Sequence, residues 1–208
     1  MKAFAYEFSS EVDRQIEALS NTDYHRKFER SKKLREELHP LSRLALHFKQ
    51  PGLEVEVEGF EDNGRPDGHI RITGFREKEF EVQITYAHSY EAALRAELFV
   101  QEGCCPGAGE IKRDKRSRKI EAVAGLVAPN EHIDRIASTV LERFRNKVGK
   151  PYAQGTVLLI AFDEWKLCGR TNWNQLFSAI DKEGGISGSQ FAEVYLFNGA
   201  TNELHRAA

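Results

Sequence analysis

Gly64-Arg65-Pro66-Asp67-Gly68-His69-Ile70-Arg71-Ile72-Thr73-Gly74 and, a charged turn later, Phe80-Glu81-Val82-Gln83-Ile84-Thr85-Tyr86 decide how this chain is read. Apolar and polar residues alternate in both stretches, which is the period of a half-buried strand. Positions two apart share a face, so Asp67, His69 and Arg71 lie opposite Ile70 and Ile72. Glu81 and Gln83 likewise lie opposite Val82 and Ile84. A tight turn between two short strands allows both polar sets onto one surface, with Asp67 near Glu81.

Working back, Leu53, Val55 and Val57 alternate with glutamates and predict a preceding strand. Glu61 to Pro66 is dense in turn residues, and the three strands with short connections form an antiparallel meander. Ser10 to about Phe48 reads as helix in two pieces. Val12, Ile16 and Leu19 form one stripe, Ser20-Asn21-Thr22-Asp23 interrupts, and Phe28, Leu34, Leu38, Leu41, Ala45 and Phe48 form the next. Pro40 kinks or restarts the second piece.

Working forward, Tyr90, Leu94 and Leu98 mark a helix, and Gly103 to Gly109 a loop. Pro129-Asn130-Glu131 opens a helix whose apolar face is Ile133, Ile136, Val140, Leu141 and Phe144. Thr156 to Phe162 is continuously apolar, as in a strand buried on both faces. A short helix over Trp173–Asp181, a strand over Phe191–Phe197 and an Asn198-Gly199 turn before Thr201–His205 complete the chain. The expected fold is α/β, a single domain over 1–208 with a mixed central sheet flanked by helices.

The 208 residues are 40% hydrophobic and 30% charged, the balance of a globular chain. No stretch approaches the ~20 apolar residues of a membrane span, and the N-terminus lacks a signal-peptide pattern, so a cytoplasmic protein without membrane association is expected. Cys104, Cys105 and Cys168 have neither zinc nor disulfide spacing and read as reduced thiols. The net charge is −2, yet Lys112, Arg113, Lys115, Arg116, Arg118 and Lys119 crowd one stretch. Within a hairpin or insertion at about 103–128, those cations would grip a phosphate backbone.

Asp67 and Glu81 on adjacent strands provide the hard oxygen donors that Mg²⁺ or Mn²⁺ takes, completed by waters and phosphate oxygens. The backbone carbonyl of Val82 would add to them. Gln83 would orient the attacking water or hold a phosphate oxygen, and a helix-borne acid, Glu36 or Glu37, would complete the shell. Asp163-Glu164 reads as loop chemistry, and Trp165 and Trp173 as packing residues.

Pro66-Asp67 followed by Glu81-Val82-Gln83, in the order helix, three strands, helix, buried strand, resembles the restriction-endonuclease-like PD-(D/E)xK nuclease superfamily. The resemblance covers roughly residues 30 to 165 as architecture, and it departs from the family pattern at Gln83, where lysine is usual. It implies a Mg²⁺-dependent DNA endonuclease in which Asp67, Glu81 and Gln83 form the catalytic set, with a homodimer as one assembly. The alternative is a catalytically inactive relative that binds nucleic acid or protein. Gln83 favours that alternative.

Overall fold

The computed structural model describes the chain apart from residues 21–22, 24–28, 61–65 and 127–128. The expected helix break at Asn21-Thr22, the apolar stripe at Phe28 and most of the turn before Pro66 lie outside the described residues. Along the chain run β1 (Lys2–Phe4), α1 (Ala5–Glu17), α2 (Glu29–Lys33), a π-turn (Leu34–Leu38) and α3 (His39–Phe48). Strands β2 (Leu53–Gly59), β3 (Gly68–Gly74) and β4 (Lys78–Tyr86) follow, then α4 (Tyr90–Glu102) and a hairpin of β5 (Ile111–Arg113) and β6 (Ile120–Ala122). The last part holds α5 (Pro129–Lys147), β7 (Val157–Phe162), α6 (Gly169–Lys182), β8 (Glu193–Asn198) and β9 (Glu203–Arg206).

Seven strands form one mixed sheet in the order β1-β2-β3-β4-β7-β8-β9. Strands β1 to β4 are antiparallel neighbours, β4, β7 and β8 run parallel, and β9 returns antiparallel on β8. Parallel strands need a crossover, which α5 and its preceding segment supply for β7 and α6 supplies for β8. The expected α/β architecture, a mixed sheet flanked by helices, is the one observed.

Residue parity in β7 divides the core. Val157, Leu159 and Ala161 join a cluster with Phe8, Val12, Leu41 and Leu44 of α1 and α3. Leu158, Ile160 and Phe162 join a second cluster with Val140, Leu141, Phe144 and Trp173 of α5 and α6. All six β7 residues are buried, which is why that stretch reads as an unbroken apolar run. In β2 only Leu53, Val55 and Val57 face the first cluster. On the other face cross-strand charges pair, with Lys2 on Glu56 at 3.1 Å and Arg71 on Glu79 at 3.0 Å.

Two details position the site. The backbone N–H of His39 bonds back five residues to the carbonyl of Leu34, the signature of a π-turn. Pro40 has no N–H to offer the preceding turn, so the helix widens there instead of continuing regularly. Gly59 and Gly68 are cross-strand partners beneath this turn. A Cβ on Gly59 would lie 2.5 Å from Leu38, and one on Gly68 2.5 Å from Leu41. The glycine pair therefore lets the helical layer settle directly on β2 and β3, beside Asp67.

Three differences from the sequence expectations have simple causes. The edge strand β1 is an addition, since three residues carry no measurable period, and α1 starts at Ala5 instead of Ser10. The strand expected from Asp67 begins at Gly68, because Asp67 is already a bend. The turn between β8 and β9 spans Gly199 to Asn202, with Asn202 at φ 56°, and Asn198 is a buried strand residue with another task. Among the described residues, no helix is long and apolar enough to cross a membrane.

Candidate active site around Asp67

Strand β4 outruns β3. The pairing of β3 with β4 ends at Gly68 opposite Val82, which would leave the N–H of Ile84 without a ladder acceptor. Asp67 fills that gap: its Oδ2 accepts the Ile84 N–H at 2.6 Å. The carboxylate acts as one more rung of the sheet. Backbone groups two apart on a strand point to the same side, so the Val82 carbonyl also faces the start of β3.

The same register decides the neighbours. His69 stands opposite Glu81, and the pairing ends with Gly68 opposite Val82, one residue short of Gln83. Asp67 lies outside the strand, where alternation does not fix its face, and Glu81 is not among the charges that act on it. His69 turns its Nε2 to Glu79 at 3.0 Å, not to Glu81. Among the described residues, the Glu81 side chain has no hydrogen bond or ion pair. Gln83 is buried at 9% exposure, on the face that α5 covers.

That burial brings in a residue that no sequence pattern singles out. Lys147, in the last turn of α5, donates from Nζ to Oε1 of Gln83 at 3.3 Å. Its ammonium is half-buried, and desolvation lowers its pKa while the negative charge of Asp67 raises it. The Asp67 pKa moves the other way. Burial raises it most, the Ile84 hydrogen bond lowers it, Glu37 raises it, and Lys147 and Lys33 lower it. The charge set around Asp67 is thus Glu37, Lys147 and Lys33, gathered from the π-turn, α5 and α2. Glu37 holds Lys33 in an ion pair at 2.9 Å. Glu36 precedes it on the turn and so emerges in a different direction.

Tyr152 approaches from the loop before β7. Burial raises the pKa of its phenol, and the Asp67 charge adds to that shift. No sequence period links Lys147 or Tyr152 to Asp67. The only signal for Lys147 is a cation ending an otherwise amphipathic helix, a placement the helix dipole already explains.

Asp67 and Glu37 supply hard oxygen donors within electrostatic reach of each other, and the Val82 carbonyl is a neutral third. That chemistry suits Mg²⁺, which takes one or two carboxylates and completes its shell with water and phosphate. Among the described residues, no group of three or more His, Cys, Asp or Glu side chains stands ready to hold a metal. Any ion here would therefore depend on waters and substrate for much of its shell.

The six cations at 112–119 sit on the β5–β6 hairpin, which packs Ile111 against Leu94 and Leu98 of α4. Lys112 pairs with Glu121 at 3.7 Å and Arg113 with Glu97. Asp114 ties the turn, accepting from the Ser117 N–H and hydroxyl and from the Arg116 N–H. The side chains of Lys115, Arg116, Arg118 and Lys119 are exposed, and among the described residues none has an acidic partner.

Comparison with protein-family models, curated proteins and solved structures finds no match to this chain.

Proposed function

We propose that this chain is a Mg²⁺-dependent nuclease of the restriction-endonuclease-like kind, hydrolysing phosphodiester bonds in DNA. The observation that carries the reading is the contact between Lys147 and Gln83 beside Asp67. Where the strand offers a glutamine, a helix offers the missing cation.

The strand order supports the fold part of this reading. β2, β3, β4 and β7 follow one another across the sheet, and a helix from each flank packs on them. Asp67 and Glu81 are the proposed ligands, with Val82 and Glu37 beside them. A bound Mg²⁺ (or Mn²⁺) would supply Lewis acidity toward a phosphoryl oxygen and lower the pKa of water. Lys147 would offset negative charge developing on the phosphate. Gln83 holds the Lys147 ammonium in place through its Oε1 and leaves its amide N–H groups to a water or phosphate oxygen. Lys115, Arg116, Arg118 and Lys119 would hold the backbone without reading sequence.

A second reading, a non-catalytic nucleic-acid-binding relative, draws on the lack of a three-ligand metal group among the described residues. One experiment separates the two. Purified protein is incubated with supercoiled plasmid, single-stranded DNA and RNA, with and without Mg²⁺ or Mn²⁺, beside Asp67→Ala and Glu81→Ala. Metal-dependent cutting lost in both variants is the expected result. Binding without cutting would favour the second reading, and cutting that survives both substitutions would remove the site.

A further inference from the structure

Helix α5 ends where the candidate site needs precision. Gly149 takes a left-handed φ of 85° and Pro151 follows, so the helix stops at Lys147. The carbonyls of a last helical turn have no partner within the helix, and such ends fray. Lys147 stands in that turn, with its ammonium on a flexible four-carbon stem. Unless its backbone is held, the Nζ that donates to Gln83 Oε1 at 3.3 Å would wander among many positions.

The hold comes from Gln190, 43 positions later in the chain. Its Nε2 donates to the Lys147 carbonyl at 3.3 Å and to the Lys150 carbonyl at 3.2 Å. The Lys150 N–H also closes onto the Lys147 carbonyl, at 3.4 Å. One amide group, with two hydrogens to give, thereby spans the end of the helix.

Gln190 is itself anchored to the sheet. Two residues on, the Ala192 N–H donates to the Thr156 carbonyl at 2.9 Å, and Glu193 then pairs with Val157 as β8 begins. Between them Phe191 is buried, its ring 5.1 Å from that of Tyr152. Tyr152 is the residue whose phenol feels the Asp67 charge from the loop before β7. Gln190 and Phe191 thus take hold of Lys147 and Tyr152, the two residues that α5 and the loop after it bring toward Asp67. The Gln190 side chain is exposed and has no part in either apolar cluster.

We infer that Gln190 is a positioning residue of the candidate active site, holding the end of α5 so that the Lys147 ammonium stays on Gln83 beside Asp67. The consequence for cleavage rests on the nuclease reading above, whereas the placement of Lys147 does not.

The test uses the full chain and Gln190→Met, which keeps the stem and removes the donor. Because Gln190 is exposed, the variant should fold, as circular dichroism checks. Ser138→Ala is the control: it removes another tie of α5, the 2.8 Å bond from the Ser138 hydroxyl to Glu183, without touching the helix end. Nuclear magnetic resonance of the Gln83 side-chain amide reads the Lys147 contact directly. Single-turnover cleavage of saturating plasmid with Mg²⁺ reads its effect. Gln190→Met should move the Gln83 amide resonances in the direction that Lys147→Met moves them, and Ser138→Ala should leave them in place. Cleavage should slow about tenfold or more, as for a displaced catalytic group, with DNA affinity unchanged. In the Lys147→Met background Gln190→Met should cost nothing further, since both act through one ammonium.

Unmoved Gln83 resonances overturn the inference, whether or not the parent protein cuts DNA. In a parent that cuts, an unchanged rate, or a loss repeated in full in Lys147→Met, also overturns it. A parent that cuts nothing while Gln190→Met moves the Gln83 resonances fails the nuclease reading alone and supports the placement.

Discussion

Lys147 Nζ donates to Gln83 Oε1 across 3.3 Å, joining the last turn of α5 to the middle of β4. A cation and an amide therefore share one place beside Asp67. Replacing Lys147 by Met keeps the stem and removes the charge, and should lower cleavage about 10²-fold or more, as for a lost transition-state donor. In that background Gln83→Lys should restore part of the rate. A single-turnover assay of the two variants checks both expectations.

Asp67 has a structural duty as well as the proposed chemical one. Asp67→Ala leaves the Ile84 N–H without its acceptor and should cost about 1–3 kcal/mol. Asp67→Asn retains a carbonyl acceptor and carries no charge. Because burial raises the Asp67 pKa, the folded state holds its proton more tightly than the unfolded chain. Stability from that preference is complete at low pH and is lost as pH rises through the folded pKa. At pH 7, Asp67→Asn should thus be at least as stable as the parent and Asp67→Ala less so, as read by urea unfolding.

His39 shows the opposite sign. Burial first, and the neighbouring Arg43 charge second, push its pKa down to about 4. Its neutral Nε2 accepts from Arg43 Nε at 3.2 Å, and Arg43 also pairs with Asp13. The unfolded chain takes up this proton near pH ~6.5. Stability should fall as pH drops from about 6.5 to about 4, by on the order of 3 kcal/mol. Unfolding midpoints of His39→Gln across that range should show a flatter profile.

The hairpin makes a salt-dependent prediction. Replacing Lys115, Arg116, Arg118 and Lys119 together by Ala leaves Asp114 to hold the turn, so the circular dichroism spectrum should not change. DNA affinity should drop, and the slope of log K against log salt should shrink by about 0.9 for each duplex phosphate no longer neutralised. Fluorescence anisotropy at several salt concentrations measures both.

The strand phases of β2, β3 and β4 are legible in the sequence because each has one apolar face, and β7 because it has two. Alternation puts Glu81 and Gln83 on one face of β4, whereas Asp67 lies outside β3 and its place is not set by alternation. Their relative register does not follow from it, since it depends on where β3 starts, and Gly68 starts it because Asp67 leaves the strand to cap Ile84. Lys147 lies 64 positions from Gln83. Only the packing of α5 on β4 and β7 brings it there, and no local pattern encodes that distance. Asn198 misleads for the same reason. Asn-Gly is a strong turn signal in isolation, whereas the buried amide serves a loop 34 residues earlier.

In the proposed nuclease Asp67 anchors a divalent ion used to cut phosphodiesters. Electron paramagnetic titration of the protein with Mn²⁺, in the presence of a non-cleavable phosphorothioate duplex, measures that ion. A saturable ion that disappears in Asp67→Asn and persists in Lys147→Met is the predicted result. Equal Mn²⁺ binding by Asp67→Asn, or none by the parent protein, would contradict it.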